Sequence, residues 1–247
     1  MNMYDSAHIS HIKSYLLLAD RRGIVYATRR YLFLGYIKLQ QLLFPIIKIW
    51  RKSAPFTFMG HKLEYFYHPY NVTWLNERVL EVPIFKHLLS SCGDNTSILE
   101  VGSVLGNYTP IFHTVVDKFS RDIDVVNKDI LDFYPKTKYK LVLSISTMEH
   151  IGVDDTVNDP RLAIKAISHV LENCLLNEGV FWFSFAFGYN PTLDDYVLSN
   201  FSQSSWFFHR IGVTEWCPTV DPVLIQSAKY DAPFKLGNLL CVVRCSK

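Results

Sequence analysis

The chain has 247 residues, 49% of them hydrophobic and 15% aromatic, with a formal net charge of +2. That composition supplies a sizeable core and excludes a disordered chain; the length suits one large α/β domain or a domain with an appendage. Charge is unevenly spread, because residues 1–55 hold nine Lys and Arg against two Asp and Glu while the remainder holds 16 against 21.

The charge split predicts a basic helical appendage over 1–55, an aromatic-rich cap or lead-in segment over 56–94, and an acidic catalytic domain over 95–247. Residues 1–52 read as helical, with breaks near Gly23 and Pro45. The run from Tyr31 to Trp50 comes nearest to a membrane span, but Lys38, Gln40, Gln41 and Lys48 interrupt it. Two readings stand: peripheral contact with an anionic membrane through residues 1–52, or docking on the chain's own domain or a sister subunit. No secretory signal is read, and the five scattered cysteines (Cys92, Cys174, Cys217, Cys241, Cys245) lack zinc spacing. Buried thiols in a reducing compartment follow, so the expected location is cytoplasmic, with membrane association through the appendage.

After a linker at Ser53–Pro55, Phe56–Tyr67 alternates around Gly60 as a hairpin would. Residues 68–85 turn into a helix reaching about Leu89. Strands are predicted at 97–102, 113–117, 124–126 and 140–146, then a helix over 161–175, a turn at Asn177–Gly179, and strands at 179–186 and 239–245. Strands alternating with helical patterns predict an α/β fold: a mostly parallel, twisted sheet with helices on both faces.

The chemistry concentrates in ILEVGSVLGNY, residues 98–108, where an apolar run ends in Glu100 and reaches Gly102 and Gly106. Gly102 permits a tight turn and a close backbone approach to a ligand. Asp117 closes the next apolar run, where a carboxylate can accept both ribose hydroxyls of a nucleoside. Asp129 and Ile130 follow a third strand, placed to meet an adenine amino group and ring face. The dinucleotide pattern GxGxxG is absent, since Val104 stands at its second glycine, and little more than one or two helical turns fit before Asp117. A pyrophosphate cradle on a long helix is thereby disfavoured.

These segments resemble class I S-adenosylmethionine-dependent methyltransferases. ILEVGSVLG resembles the first motif, VVD the second, NKDI the third and LVLSISTMEHIG the fourth; LLNEGVFWFSFAFG resembles the strand after the fourth helix. The departures are Val104 for a glycine, a shortened first helix, and Asn177-Glu178-Gly179 in place of the usual turn. YFYHPYNVTWLNERVLEVPI, SISTMEHIG and GYNPTLDD further resemble a little-characterised methyltransferase-like group found among surface-polysaccharide biosynthesis proteins. The resemblance implies a Rossmann-like methyltransferase fold with S-adenosyl-L-methionine as cofactor. It places Glu100, Gly102, Ser103, Gly106, Asp117, Lys118, Asp129, Ile130 and Ser144 at the cofactor.

The implied activity is methyl transfer, with O-methylation of a sugar or other small hydroxyl compound as the expectation. Partners are then a small-molecule or glycan substrate and no nucleic acid; no metal spacing is read, and oligomeric state is left unassigned. A hydroxyl acceptor needs a base that works near neutral pH. His150, directly after the fourth-motif strand, is the first candidate, against a packing or capping role; His68 is the second. Tyr70, Asn71, Trp74, Arg78, Tyr189 and Asn190 are candidate substrate contacts. Tyr67, Tyr70 and Trp74 can stack on a sugar or on the cofactor, the alternative being a hydrophobic seam; Arg78 and Glu77 can clamp a substrate, the alternative being an internal ion pair. Two other classes compete: a catalytically degenerate binding or scaffold protein, and a nicotinamide-dependent oxidoreductase.

Overall fold

The computed structural model describes residues 23–50, 55–155 and 158–247. The chain divides into two compact units, 1–52 and 53–247, so segment 53–94 belongs to the unit that carries the main sheet. In the first unit, α1 (Ile24–Leu42) starts after Gly23, whose φ of +89° is open to glycine, and α2 (Phe44–Trp50) follows Leu43. Pro45 sits in the first turn of α2, where its missing N–H leaves no helical bond unmade, so the break falls just before it. Leu32, Leu39 and Leu42 on α1 are more than half exposed. Among the described residues no helix is long and apolar enough to cross a membrane. The helical reading of residues 1–22 lies outside the described residues.

The second unit opens with a hairpin, β1 (Pro55–Phe58) and β2 (His61–Glu64), turned by Met59 and Gly60 at φ +49° and +80°. Two residues at positive φ match the twist of a tight hairpin. A 3-10 turn over Tyr70–Leu75 leads to α3 (Arg78–Ser90). The sheet is built from β3 (Ile98–Val101), β4 (Thr114–Val116), β5 (Val125–Val126), β6 (Tyr139–Ile145), β7 (Leu175–Ala186), β8 (Ser205–Arg210), β9 (Trp216–Thr219) and β10 (Leu239–Ser246).

Its order is β5-β4-β3-β6-β7-β10-β8-β9. The first five strands are parallel, and β10 runs antiparallel to both β7 and β8. Strands β3 to β7 thus follow the 3-2-1-4-5 order of the doubly wound fold, with the order reversing beside β3, where such sheets bind ligands. This is the Rossmann-like methyltransferase fold expected from the sequence.

Both faces are covered. Val79, Leu80, Ile84 and Phe85 of α3 and Phe56 and Phe58 of β1 pack on Ile98, Leu141, Leu143 and Trp182. On the other face α4 (Leu162–His169) and α5 (Pro191–Phe201) bury Ala163, Ala166, Ile167, Leu193 and Val197 against Leu99, Val142, Phe181 and Phe183. Burial on both sides explains why β3 reads as an unbroken apolar run apart from Glu100.

Two predicted elements take a different form in the structure. Asn177–Gly179 is a bulge within β7, not a turn before it: Tyr139 pairs with Leu175 and Leu141 with Val180, so the residues between loop out. The helix predicted to Leu175 keeps α-helical form only to His169, and Val170–Cys174 widens into a π turn. Between β3 and β4 the shortened helix expected from the sequence is a single 3-10 turn, Leu105–Asn107.

Candidate functional site

The carboxyl end of β3 carries the glycine loop, and Glu100 holds it in shape. Fully buried, Glu100 accepts hydrogen bonds from the backbone N–H groups of Val104 and Leu105, both 2.9 Å, through one oxygen. Its other oxygen lies 3.0 Å from His113 Nε2. A carboxylate taking two backbone donors caps N–H groups that the short turn, like the first turn of any helix, cannot satisfy itself. Gly102 has φ +88°, and a Cβ there would meet Thr147 Oγ1 at 2.1 Å. The loop therefore packs directly on the segment that follows β6. Gly106 is under less constraint, since its Cβ would make ordinary contact with Ile111.

Asp117, at the end of β4, stands beside this loop. One oxygen accepts from the N–H groups of Phe119 and Ser120, both 2.7 Å, and the other accepts from Ser103 N–H at 2.9 Å. The second oxygen keeps a lone pair, so Asp117 both ties the loop to β4 and retains capacity for a hydroxyl donor. Lys118 bridges Asp129 at 2.9 Å and Asp155 at 2.8 Å, joining the ends of β4 and β5 to the loop after β6. Asp129 also caps the turn Ile130–Asp132 by accepting from Leu131 N–H. Ile130 and Ser144 lie inside the protein. Ile130 is in the core that contains α4, and Ser144 donates to the Val101 carbonyl at 2.9 Å, fastening β6 to β3.

The end of β6 is the most polar buried region. Ser146, at φ +36°, and Ser184 on β7 both donate to Glu81 Oε1, at 2.7 and 2.6 Å. Glu81 pairs with Arg78, as α3 spacing allows. The Arg78 partner is thus Glu81 rather than the Glu77 expected from sequence. Glu149 is buried and accepts from Ala186 N–H at 3.2 Å. Burial, reinforced by Glu81, pushes its carboxyl up to about 8. Asp194, at the start of α5, accepts from Gly188 N–H and is pushed by burial up to about 7.

A group with a raised carboxyl value in the folded chain holds a proton that the unfolded chain releases. Its stabilising contribution is full below the ordinary carboxyl range and is lost as pH rises through the folded value. The urea midpoint should therefore fall between about pH 5 and about pH 8, and Glu149→Gln should flatten part of that slope, Asp194 carrying a comparable share. A wild-type midpoint that holds level or climbs across this window would rule out a buried neutral Glu149.

His150 follows Glu149 and is half exposed. Its Nδ1 lies 2.6 Å from Asp154 Oδ2, and its ring meets Tyr189 edge to face at 4.6 Å. Tyr189 Oη also donates to Asp154 at 2.9 Å. Because a carboxylate only accepts, Nδ1 carries the donated hydrogen and Nε2 is left as the basic atom. Asp154 and Tyr189 fix the ring. Asn190 turns out to be structural: it is fully buried, caps α5 through Leu193 N–H and donates to the Pro160 carbonyl.

The lead-in segment brings another group of rings together. His68 stacks on Phe66 and meets Tyr108 edge to face, and Tyr70 meets Tyr108 at 5.6 Å. His68 Nδ1 accepts from Tyr70 N–H, and burial holds its imidazole below the usual value. Asn71 and Val72 adopt positive φ, +53° and +46°; for the β-branched Val72 this is strained backbone, held by full burial of its side chain. Of the three rings expected to stack, Trp74 is buried, Tyr67 is half-buried and Tyr70 is exposed. Sequence reasoning missed Glu81, Glu149, Asp154, Ser146, Ser184 and Tyr230. Of these only Asp154 had a local signal, four residues after His150.

No group of three or more His, Cys, Asp and Glu suited to a metal ion occurs among the described residues. No protein-family model and no curated protein matches the chain. Solved structures do resemble it. N-methyltransferase NodS from Bradyrhizobium japonicum WM9, in complex with S-adenosyl-L-homocysteine, is 17% identical with a TM-score of 0.44, over 69% of this chain and 88% of that one. An rRNA methylase from Streptococcus thermophilus is 10% identical with a TM-score of 0.40, over 68% and 97%. An S-adenosylmethionine-dependent methyltransferase from Clostridium acetobutylicum ATCC 824 is 14% identical with a TM-score of 0.35, over 66% and 89%. Likeness at these scores adds no weight to the chain's own sheet order.

Proposed function

We propose that the chain is an S-adenosyl-L-methionine-dependent methyltransferase acting on a hydroxyl group of a small molecule or glycan. One observation carries this reading: the Gly102 loop, Asp117 and the His150–Asp154 pair follow three adjacent parallel strands, β3, β4 and β6, at the topological switch point. The residues present fit such a cofactor, since Asp117 keeps a lone pair for a ribose hydroxyl beside a loop already shaped by Glu100. Bound there, the cofactor supplies an activated sulfonium methyl group. The chain's own residues supply the rest. The loop and Asp117 would orient the nucleoside, and His150 Nε2 would take the proton of the acceptor hydroxyl. Asp154 steadies the imidazolium that results.

Calorimetric titration of the full chain with S-adenosylmethionine, S-adenosylhomocysteine and NAD tests the reading. The first two should bind in the micromolar range and NAD should give no heat of binding. Preference for NAD, or no binding of either adenosyl compound, overturns it.

A further inference from the structure

Six apolar side chains of α1 stand in solvent: Ile24, Val25, Leu32, Tyr36, Leu39 and Leu42 are each between 42% and 78% exposed. Their spacing puts them on one side of the helix. At about 100° per residue all six fall within an arc of about 120°, shared only with Thr28 and Gly35. No charged residue lies on that arc. In α2, Ile46 and Ile49 are 55% and 81% exposed and stand three residues apart, on one side of that helix as well. Single exposed apolar residues are ordinary on a protein surface, but a continuous run of them marks a face that another apolar phase covers.

The charge of the segment says what kind of surface that is. From Arg21 to Leu63 the chain has nine Lys and Arg and no Asp or Glu. Lys38 on α1 and Lys48 on α2 are both exposed. A second copy of the same face would set like charges against each other. A bilayer with anionic headgroups instead meets the bases at its surface and the apolar side chains beneath it. Tyr36 adds a ring whose hydroxyl suits the boundary between the two layers. Among the described residues no helix is long and apolar enough to cross the bilayer, so α1 would lie along it. Residues 56–247, with 16 Lys and Arg against 21 Asp and Glu, are repelled by the same headgroups, which confines the contact to the first unit.

We infer that α1 and α2 form an anchor on the surface of an anionic membrane: the face built on Leu32, Tyr36, Leu39 and Leu42 enters the acyl boundary, while Lys38 and Lys48 meet lipid phosphates. The anchor stands apart from the reaction assigned to the second unit, and its test needs neither cofactor nor acceptor.

That test is co-sedimentation of the full chain with vesicles. Phosphatidylcholine and phosphatidylglycerol in roughly a 2:1 ratio should bind it at least about tenfold more tightly than phosphatidylcholine alone, and raising salt from about 0.1 to about 0.5 M should release it. Lys38→Gln and Lys48→Gln should each weaken binding about fivefold, as loss of one basic group near an anionic surface does. Leu32→Gln combined with Leu39→Gln should weaken it about tenfold or more through lost apolar burial. Both leucines are more than half exposed and glutamine is a good helix former, so this variant should keep the wild-type melting midpoint.

Equal binding to the two kinds of vesicle, or binding to neither, overturns the anchor, as does undiminished binding by the leucine variant. Attachment that resists high salt and yields only to detergent also overturns it, in favour of a spanning segment. Dimerisation that the leucine variant abolishes, with no vesicle binding by the wild type, assigns the face to a second copy of the chain instead.

Discussion

His150→Ala should lower turnover about 100-fold or more while leaving S-adenosylmethionine affinity nearly intact. The geometry sets both halves of that expectation. Nδ1 is committed to Asp154 at 2.6 Å, and Tyr189 braces the same carboxylate, so Nε2 is presented as a base in a fixed direction. None of the hydrogen bonds that shape the glycine loop involves His150. Asp154→Asn should cost less than removing the ring but more than a surface change, because an amide can hold the wrong tautomer. Single-turnover measurements on the two variants check the ordering. Near-normal turnover in a folded His150→Ala protein would show that positioning alone suffices. His68 would not fill the gap, since its Nδ1 is occupied by Tyr70 N–H and burial keeps it neutral.

The second large effect concerns stability rather than chemistry. Glu100→Ala should cost about 3–5 kcal/mol, because two loop N–H groups and His113 lose a fully buried partner. Glu100→Gln keeps an oxygen for both N–H groups and should cost about 1–2 kcal/mol, the difference between a charged and a neutral acceptor. Denaturant midpoints of the two variants decide the matter. If alanine and glutamine are equally tolerated, the carboxylate does not organise the loop. Under the proposed function, cofactor affinity should follow the same order, because Glu100 shapes the loop assigned to the nucleoside.

These contrasts mark what a reader of the sequence could and could not find. β3, β6 and β10 were legible because each is an apolar run of the length a doubly covered strand requires. β8 and β9 were not, since SWFFHR mixes polar and aromatic residues and WCPT contains a proline, tolerated there because β9 is the sheet edge. Glu100, Gly102 and Asp117 stood out by their order along the chain. Their work proved more internal than expected, with Glu100 and Asp117 both holding loop amides. The Glu81 cluster left no trace in local sequence, because Ser146 and Ser184 are 65 and 103 residues away from it along the chain. Only the strand order brings β6 and β7 side by side and lays α3 across their ends.

Arg210, at the end of β8, ties together two loops on the far side of the sheet from the glycine loop. Its buried guanidinium donates to the carbonyls of Gly212 and Val213 on one side and of Lys235 and Gly237 on the other. The second loop also carries Tyr230, and Gly237 lies against Glu77, where a Cβ would come within 2.7 Å of Oε2. One side chain thus works as a cleat on which two loops are tied. Removing it would free both loops at once, including the one that carries Tyr230 and lies against Glu77. The glycine loop, fastened separately by Glu100, would stay as it is, so the two ends of the sheet can change independently.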